Sequence, residues 1–493
     1  MLQALSAALT AACEEFDQAS ALSGGGLALS YRALREQADK VAAGLRAVEL
    51  APSEPVHVSV SNRPLDVAAL FGVWLAGGVA VPIHRNTPPT VASGLQGRTR
   101  ARFLIDSQAS NICSSGAVSI LSTTRPPPRP MLDDAAFIIF TSGSTGEPKG
   151  VVVGNDAFHG KILQIDSLLH FRPAEQTLLV LNVTFSFGLW VSLLTLFRGG
   201  TLVMQEKFDA AMFFEALADH PVTRVGMVPT MMRVLFADSR MDAKIDRVVA
   251  EGNLHQILIG GESLGRSLAD TIRRRFSGTQ MIDIYGLTET ATCDFFAFPA
   301  DYAKYPGSIG RPSPHVKFRI ADLDDLEVEP HALGELQIDT PYIMKGYLDD
   351  AALTSAAFCE RWFRTGDLAR RLDGDVVELM GRKKEVISRG GNKVTPMEIE
   401  QSICSHPDIA AAMAVGIDDP LLGERIHVLL VARRGVIMDL PSVQKFLETR
   451  LERFKLPDRY YVSDELPLGR TGKADRAQFR SMIHAGLISP LAH

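Results

Sequence analysis

Residues 141 to 150 read Thr-Ser-Gly-Ser-Thr-Gly-Glu-Pro-Lys-Gly and directly follow the apolar run Ala135-Ala136-Phe137-Ile138-Ile139-Phe140. The run predicts a short buried strand, and the segment after it predicts a tight turn. Glycines allow backbone N–H groups to converge on phosphate oxygens, while hydroxyls and the Lys149 ammonium add further donors. The strand and turn together favour an α/β protein with a loop that binds a polyphosphate.

The order of residues in this loop disfavours two common enzyme classes. A Walker A loop has lysine directly after its second glycine, whereas Glu147 and Pro148 separate Gly146 from Lys149. The segment also lacks the Gly-x-Ser-x-Gly elbow of many serine hydrolases. A cluster of Gly, Ser and Thr is otherwise typical of a flexible surface loop, so composition alone leaves that alternative open.

Helix and strand patterns alternate on both sides of the loop. An amphipathic stretch over residues 31–50 precedes β-like runs at 56–60 and 79–83, and further apolar runs follow at 202–203, 225–228 and 257–259. Residues 107–133 are rich in Ser, Thr and Pro and predict an exposed connector without sheet or helix. After residue 383 about a hundred residues carry their own helix and strand signals, which predicts a small C-terminal domain.

Composition narrows the classes of partner. The chain has 493 residues, 46% of them hydrophobic, and its 51 basic and 57 acidic side chains give a net charge of -6. This balance provides no general attraction for nucleic acid or an anionic membrane. Five scattered cysteines without a Cys-x-x-Cys pair argue against a disulfide framework or a zinc site. With no signal-peptide or membrane-spanning pattern, we expect a cytoplasmic protein.

The 141–150 loop resembles the signature loop of the adenylate-forming superfamily, which includes acyl- and aryl-CoA synthetases, peptide-synthetase adenylation domains and firefly luciferase. Further segments resemble the superfamily's motifs, in its order, over roughly residues 30–480. They are Gly260-Gly261-Glu262-Ser263-Leu264, Tyr285-Gly286-Leu287-Thr288-Glu289, Gly334-Glu335-Leu336 with Gly346-Tyr347, Arg364-Thr365-Gly366-Asp367-Leu368, Gly381-Arg382-Lys383-Lys384-Glu385, and Leu466-Pro467 with Thr471-Gly472-Lys473.

The resemblance implies an ATP-dependent ligase that makes an acyl-adenylate, releases pyrophosphate and forms a thioester with coenzyme A. It implies catalytic roles for Lys473, Thr288, Glu289 and Lys149, with Glu289 on Mg²⁺. A carboxylate and ATP repel each other as anions, and a divalent ion with a lysine would offset that repulsion. The implied ATP-binding residues are Thr141, Ser142, Gly143, Ser144, Thr145, Gly146, Gly261, Glu262, Ser263, Tyr285, Gly286, Thr288, Asp367 and Arg382.

The resemblance also implies two domains that move against each other. We expect a large N-terminal domain over residues 1–383, with several subdomains of sheets flanked by helices, and a small mobile α+β domain over residues 384–493. Lys384 corresponds to the hinge residue. Gly390 and Gly391 would line the coenzyme A tunnel, where a missing Cβ admits a thin thiol arm, and an ordinary turn is the alternative interpretation of this pair.

The segment Phe185-Ser186-Phe187-Gly188 indicates which acids fit. Amino-acid-activating relatives carry Asp after the aromatic residue, and without it a buried ammonium would be left unpaired, which disfavours an α-amino acid. The implied acid pocket consists of Phe185, Phe187, Gly188, Gly260 and Gly286. Its apolar character favours an aryl or medium-sized apolar acid.

Three alternatives to a coenzyme A ligase stay open from the sequence. A stand-alone ligase would load the acyl group onto a carrier protein, and a luciferase-like enzyme would oxidise the adenylate. A non-catalytic nucleotide-binding homologue is disfavoured because Thr288, Glu289, Asp367, Arg382 and Lys473 are all present. The oligomeric state also stays open, with a homodimer among the options.

Overall fold

The computed structural model describes residues 3–106, 118–142, 148–433, 435–467 and 474–491, with the Ser142 side chain excepted. Over these residues the chain is a mixed α/β protein with a large N-terminal part and a smaller C-terminal part. The elements are numbered along the chain.

The strands of the N-terminal part are β1 (Ser20–Gly24), β2 (Leu27–Ser30), β3 (Pro55–Val60), β4 (Val79–His84), β5 (Phe103–Asp106), β6 (Val118–Ile120), β7 (Ala135–Ser142), β8 (Pro148–Gly154), β9 (Gln176–Leu179), β10 (Thr201–Met204), β11 (Val222–Met227), β12 (Gln256–Gly260), β13 (Gln280–Tyr285), β14 (Phe295–Ala297), β15 (Arg311–Pro312), β16 (Lys317–Ala321), β17 (Gly334–Asp339), β18 (Gly346–Tyr347), β19 (Phe358–Cys359), β20 (Trp362–Arg371) and β21 (Val377–Arg382). Its helices are α1 (Ala4–Phe16), α2 (Tyr31–Ala47), α3 (Pro64–Leu75), α4 (Pro89–Thr99), α5 (Asn155–Leu169), α6 (Ser186–Phe197), α7 (Ala210–Asp219), α8 (Pro229–Ala237), α9 (Asp242–Glu251), α10 (Arg266–Arg275), α11 (Pro299–Lys304) and α12 (Ala351–Ala356). The C-terminal part contains β22 (Ile387–Arg389), β23 (Asn392–Val394), α13 (Pro396–Cys404), β24 (Ile409–Asp419), β25 (Gly423–Ala432), α14 (Leu440–Glu448), β26 (Arg459–Val462) and α15 (Arg476–His484).

The predicted strand before the 141–150 loop lies in a sheet whose described strands run in the order β18-β8-β7-β4-β3-β5-β6. β7 and β8 pair antiparallel, so the loop joins two neighbouring strands. The apolar residues Phe137, Ile138 and Ile139 are buried, as the short hydrophobic run predicts. The strand prediction for residues 135–140 is confirmed.

One prediction for this sheet is wrong. The connector over residues 107–133 was expected to contain neither sheet nor helix, but Val118–Ile120 forms β6, which pairs antiparallel with Phe103–Ile105. Pro130–Leu132 adds a single 3₁₀ turn. Val118 is buried and Ile120 is exposed, so a short apolar stretch within the Ser-, Thr- and Pro-rich region adds an edge strand to the sheet. Residues 107–117 lie outside the described part of the chain.

A second sheet places the ends of several strands at one edge. Its described strands run in the order β15-β14-β13-β12-β11-β9-β10-β1-β2, and β10, β9, β11, β12 and β13 are parallel. Strands of a parallel sheet that is covered on both faces have apolar residues at consecutive positions, as in the buried run Ile257, Leu258 and Ile259. Their carboxyl ends lie side by side, which brings Gly260 and Tyr285 to the same edge.

A third sheet, with β16, β17, β20, β19 and β21, supplies polar residues from two adjacent strands. Asp367 of β20 and Arg382 of β21 are direct partners across the antiparallel pair. This pairing fixes a carboxylate opposite a guanidinium before any ligand binds.

The C-terminal part forms a sheet with strands β23, β22, β25, β24 and β26, flanked by α13, α14 and α15. Its hydrophobic clusters are built from residues after 386, such as Ile387, Val428 and Leu430. Among the described residues, no helix is both long enough and apolar enough to cross a membrane.

Candidate active site

A cleft of about 3120 Å³ lies between the two parts of the chain. The N-terminal part contributes Phe185, Tyr285 and Asp367, and the C-terminal part contributes Glu400 and Asp475. Of the predicted site residues that are described, those that line the cleft are Thr141, Phe185, Gly261, Glu262, Ser263, Tyr285, Gly286, Asp367, Arg382 and Lys384. The cleft therefore brings together predicted site residues that are up to 243 positions apart in sequence, from Thr141 to Lys384.

A polar cluster at one side of the cleft joins two of the sheets. The Tyr285 hydroxyl donates to Asp367 Oδ2 at 2.6 Å, and Arg382 Nε lies 2.8 Å from Asp367 Oδ1. Burial raises the pKa of Tyr285 well above its usual value, so this hydroxyl stays protonated and donates. Burial also raises the pKa of the Asp367 carboxyl, while the Asp367 charge raises the pKa of Arg382. The cluster offers an aromatic ring and a carboxylate suited to a nucleoside.

Glu289 lies at the end of the segment that begins at Tyr285. Its carbonyl oxygen accepts from Met344 N–H at 2.7 Å, and its carboxylate accepts from the Tyr347 hydroxyl at 3.1 Å. Burial raises the pKa of Glu289, and the charges of Lys149 and Arg382 oppose that rise. Thr288 and Glu289 do not themselves line the cleft; they directly follow Leu287, which does.

The donor set around Glu289 fits a magnesium ion held together with a nucleotide. Mg²⁺ is usually bound by one or two carboxylates plus substrate phosphates and water, and Glu289 supplies one such carboxylate. No cluster of three or more His, Cys, Asp or Glu side chains able to hold a metal occurs among the described residues. The arrangement therefore fits an ion that arrives with ATP better than an ion held by protein groups alone.

The predicted phosphate loop is described only at its two ends. Thr141 lines the cleft and is the strand partner of Lys149. The Lys149 ammonium lies 5.2 Å from the centre of the Tyr347 ring, whose hydroxyl binds Glu289. Gly143, Ser144, Thr145 and Gly146 lie outside the described residues, and Ser142 is described by its backbone alone.

Lys473, the predicted adenylation lysine, also lies outside the described residues. Leu466 and Ala474, on either side of residues 468–473, both line the cleft. Described residues before and after the segment that contains Lys473 thus line the same cleft as Tyr285 and Asp367.

The 260–263 segment continues from β12 into the cleft. Gly261 has φ +86°, a left-handed conformation that favours glycine. The Glu262 carboxylate accepts from the Thr230 hydroxyl at 2.8 Å and lies 3.4 Å from Arg233. The Ser263 hydroxyl is 3.8 Å from the sulfur of Met397, a residue of the C-terminal part. This segment thus contacts both sides of the cleft.

The predicted acid pocket divides into two layers. Phe185 and Gly286 line the cleft, whereas Phe187, Gly188 and Gly260, all within the described chain, do not. The Phe187 ring stacks on Trp190 with centroids 5.6 Å apart and an interplanar angle of 8°. A Cβ added at Gly260 would lie 3.2 Å from that ring, so Phe187 and Gly260 pack against each other behind the cleft wall.

The predicted hinge and tunnel residues lie close together in sequence but in different settings. Lys384, within a 3₁₀ turn over Lys383–Glu385, lines the cleft, and burial lowers its pKa. Gly390 and Gly391 form the turn between β22 and β23 with φ +56° and +82°, and neither belongs to the cleft lining of the described chain. Positive φ at both positions explains the two glycines as a hairpin turn, the alternative that the sequence left open.

Two parts of the site were missed by sequence reasoning. Thr230 and Arg233, which hold Glu262, lie on α8 and carry no recognisable motif. Asp283 is buried at the cleft, and burial raises its pKa to about 7. A signal for Asp283 was present, since a carboxylate within the apolar strand Met281-Ile282-Asp283-Ile284-Tyr285 is unusual unless it has a role.

Comparisons with known proteins give matches over both parts of the chain. A family model described as AMP-binding enzyme matches residues 9–348, and one described as AMP-binding enzyme C-terminal domain matches residues 398–473. An indoleacetate–CoA ligase from Aromatoleum aromaticum is 30% identical, with 92% of this chain and 93% of the relative covered. A fatty acid–[acyl-carrier-protein] ligase from Streptomyces coeruleorubidus is 29% identical, with 92% of each covered.

A solved structure shows a similar fold. The o-succinylbenzoate CoA synthetase from Bacillus subtilis, in complex with its acyl-adenylate intermediate, superposes with a TM-score of 0.81. The two chains are 22% identical, and the match covers 96% of this chain and 97% of the other.

Proposed function

The chain belongs to the family of AMP-binding enzymes and is an acid–thiol ligase, and on this premise we propose that it activates a carboxylic acid with ATP and transfers the acyl group to coenzyme A. In the first step a carboxylate oxygen attacks the α-phosphorus and pyrophosphate leaves, which gives the acyl-adenylate. In the second step the thiol sulfur attacks the acyl carbon, AMP leaves, and the thiol proton is lost to solvent. The carboxyl group is activated because AMP is a far better leaving group than oxide.

The observation that carries this proposal is the short Tyr285–Glu289 segment, which begins in the cleft lining and ends at the Glu289 carboxylate. The Tyr285 hydroxyl donates to Asp367, and this aromatic ring and carboxylate suit an adenosine. Glu289 lies four residues further along the chain, and the positive charge of Lys149 acts on its carboxylate. One short segment thus spans the distance from a nucleoside site to a phosphate and metal site. Bound Mg²⁺ would offset the negative charge of the phosphates.

We assign the nucleotide contacts as the sequence implies them. Asp367 would accept from the ribose hydroxyls, Tyr285 would stack on adenine, and Gly261–Ser263 would flank the base. Thr288 would donate to the α-phosphate, and Thr141–Gly146 with Lys149 would bind the β- and γ-phosphates. Lys473 would approach from the C-terminal part and bind both the attacking carboxylate and the α-phosphate, which aligns the two anions.

For the acid we propose an aryl or medium-sized apolar substrate. Phe185 and Gly286 are the pocket residues that reach the cleft, and neither carries a charge that would pair with a substrate ammonium. The relative that is an indoleacetate–CoA ligase supports an aryl acid. Phe187, stacked on Trp190 behind the wall, would set the depth of this pocket.

We also propose that residues 384–493 rotate about Lys384 between the two steps. The separate hydrophobic clusters on either side of the Lys383–Glu385 turn support rigid parts joined at that turn. In the second step Gly390 and Gly391, now in an exposed hairpin turn, would come to line the path of the thiol arm.

The proposal is tested by measuring pyrophosphate release over a library of acids that includes indole-3-acetate, with and without coenzyme A. We expect release with apolar acids and a coenzyme A thioester identified by its mass. Lys473→Ala should lower the rate of adenylation by about a hundredfold or more while AMP still binds, because the lysine acts mainly in the transition state. Lys207→Ala, at an exposed lysine outside the cleft, is the matched control.

Two outcomes would redirect the assignment. A carrier protein that is acylated when coenzyme A is not would favour the second candidate function, for which the fatty acid–[acyl-carrier-protein] ligase is the supporting relative. Normal adenylation by Lys473→Ala would show that another group aligns the carboxylate.

A further inference from the structure

A fully buried ion pair lies beneath the active-site segment. Lys161 Nζ of α5 is 2.9 Å from Asp294 Oδ1, and both side chains are 0% exposed. Neither residue lines the cleft, and the two are 133 positions apart in sequence. Burying two charges costs desolvation that their attraction often fails to recover, so stability alone is a weak reason for such a pair.

Asp294 ties together the two ends of the segment that carries Glu289. Its backbone N–H donates to the Tyr285 carbonyl at 2.7 Å, and its second carboxylate oxygen accepts from the Thr290 hydroxyl. Thr290 directly follows Glu289. Between these anchors Ala291, Thr292 and Cys293 all have positive φ, a conformation that non-glycine residues seldom adopt in succession. The turn is therefore held by its contacts rather than by its local preferences.

Lys161 also faces residues 342–347, a second segment whose residues hold Glu289 by hydrogen bonds. Its ammonium lies 5.5 Å from the centre of the Tyr342 ring, and that ring packs on Gly160, where an added Cβ would lie 2.7 Å from it. Two residues after Tyr342, Met344 N–H donates to the Glu289 carbonyl. Further along, the Tyr347 hydroxyl donates to the Glu289 carboxylate. One buried ammonium thus contacts both segments that hold Glu289.

We infer that Lys161 and Asp294 are positioning residues that set the place of the Glu289 carboxylate and hence the affinity for Mg·ATP. The inference rests on the proposed nucleotide site and adds to it two residues that touch no ligand. Asp294 acts through Thr290 on the turn, and Lys161 holds Asp294 against the segment from Tyr342 to Tyr347. Partners that orient a metal-binding carboxylate commonly affect metal affinity strongly.

The test compares two ligands that use the site differently. AMP needs the Tyr285 and Asp367 end and no metal, whereas Mg·ATP also needs Glu289. Isothermal titration calorimetry on the full chain would measure AMP, ATP with excess Mg²⁺, and ATP with excess EDTA. Lys161→Met and Thr290→Val should weaken Mg·ATP by about ten- to a hundredfold and leave the Kd for AMP unchanged. Arg102→Met, which breaks the buried pair with Glu54 outside the cleft, is the control for general destabilisation.

A double-variant cycle with Glu289→Gln shows whether Lys161 affects Mg·ATP binding through Glu289. If Lys161 acts through Glu289, then Lys161→Met combined with Glu289→Gln loses no more Mg·ATP affinity than Glu289→Gln alone. Additive losses, a parallel loss of AMP and Mg·ATP binding, or no change in either would each overturn the inference. If Lys161→Met does not fold, Thr290→Val, which keeps the ion pair, decides by the same criteria. A wild-type chain that binds neither ligand would overturn the proposed nucleotide site itself.

Discussion

The Asp367 carboxylate is held by two donors before any ligand arrives. The Tyr285 hydroxyl and the Arg382 guanidinium both bind it, and its side chain is 5% exposed. A carboxylate fixed in this way would lose little conformational freedom on accepting from a ribose, the role proposed for Asp367, and this would favour binding. Its contribution should therefore be large for a single side chain.

We expect Asp367→Ala to weaken AMP binding by about ten- to a hundredfold, since hydrogen bonds to a charged group contribute roughly 1.5–3 kcal/mol. Calorimetric titration with AMP measures the change. Asp324→Ala, at an exposed aspartate outside the cleft, should leave the affinity unaltered. Equal affinities for wild type and Asp367→Ala would remove Asp367 from the nucleoside site.

The buried carboxyl of Asp283 should make stability depend on pH. Burial raises its pKa in the folded chain to about 7 from an ordinary value of 3.8, so the folded state binds a proton that the unfolded state releases. The stabilisation from that proton is complete below the unfolded value and is lost as pH rises towards about 7.

Asp283→Asn mimics the protonated form at every pH. Its melting temperature should therefore match wild type near about pH 4 and exceed it increasingly up to about pH 7, with a constant excess above that. Thermal unfolding measured across this range gives the answer. A difference that does not change with pH would mean that Asp283 titrates normally in the folded chain.

At the scale of elements, the turn after β13 leaves no room for a side chain at Gly286. A Cβ there would lie 2.1 Å from the backbone nitrogen of Cys293, so the turn that carries Thr288 and Glu289 would have to shift. Backbone atoms cannot move aside as the end of a flexible side chain can.

We expect Gly286→Ala to destabilise the chain by about 1–3 kcal/mol and to lower adenylation more than AMP binding. Gly97→Ala is the matched control, because Gly97 lies in α4 with nothing within 4 Å of an added Cβ. That variant should gain roughly 0.4–1 kcal/mol of stability and keep its activity. Full pyrophosphate release by Gly286→Ala would show that the turn tolerates the shift.

The sequence predicted elements well where one local pattern determines them. The apolar run at 135–140 became β7, and the runs at 56–60 and 79–83 lie within β3 and β4. β6 was missed because its three residues are a very short apolar stretch within a Ser-, Thr- and Pro-rich region, and their conformation depends on pairing with β5.

For the site, ordered motifs predicted residues that lie together at the cleft, whereas long-range contacts carry no motif and were missed. Tyr285, Asp367 and Arg382 were predicted from motifs and do meet in the structure. Lys161 and Asp294 look like surface residues in the sequence, because their burial depends on a partner 133 positions away. No local pattern encodes such a contact.

At the scale of the whole molecule, the proposed rotation about Lys384 can be tested by stiffening the backbone. Proline at this position fixes φ and restricts the preceding Lys383. We expect Lys384→Pro to retain adenylation while thioester formation falls by about an order of magnitude or more, because one arrangement of the parts becomes hard to reach. Lys384→Ala removes the same side chain without restricting the backbone, and it should support both steps. Pyrophosphate release and thioester mass report the two steps separately.

The two parts of the chain bury their apolar residues separately. Among the described residues, the clusters that contain Ile387 or Met413 include nothing from before residue 386, and the remaining clusters include nothing from after it. Differential scanning calorimetry should then record two endotherms, since each cluster set can melt without the other. A nucleotide that binds to both parts across the cleft would bring the two melting temperatures closer together. The difference between these temperatures would then measure how strongly the two parts interact, even when no substrate is turned over.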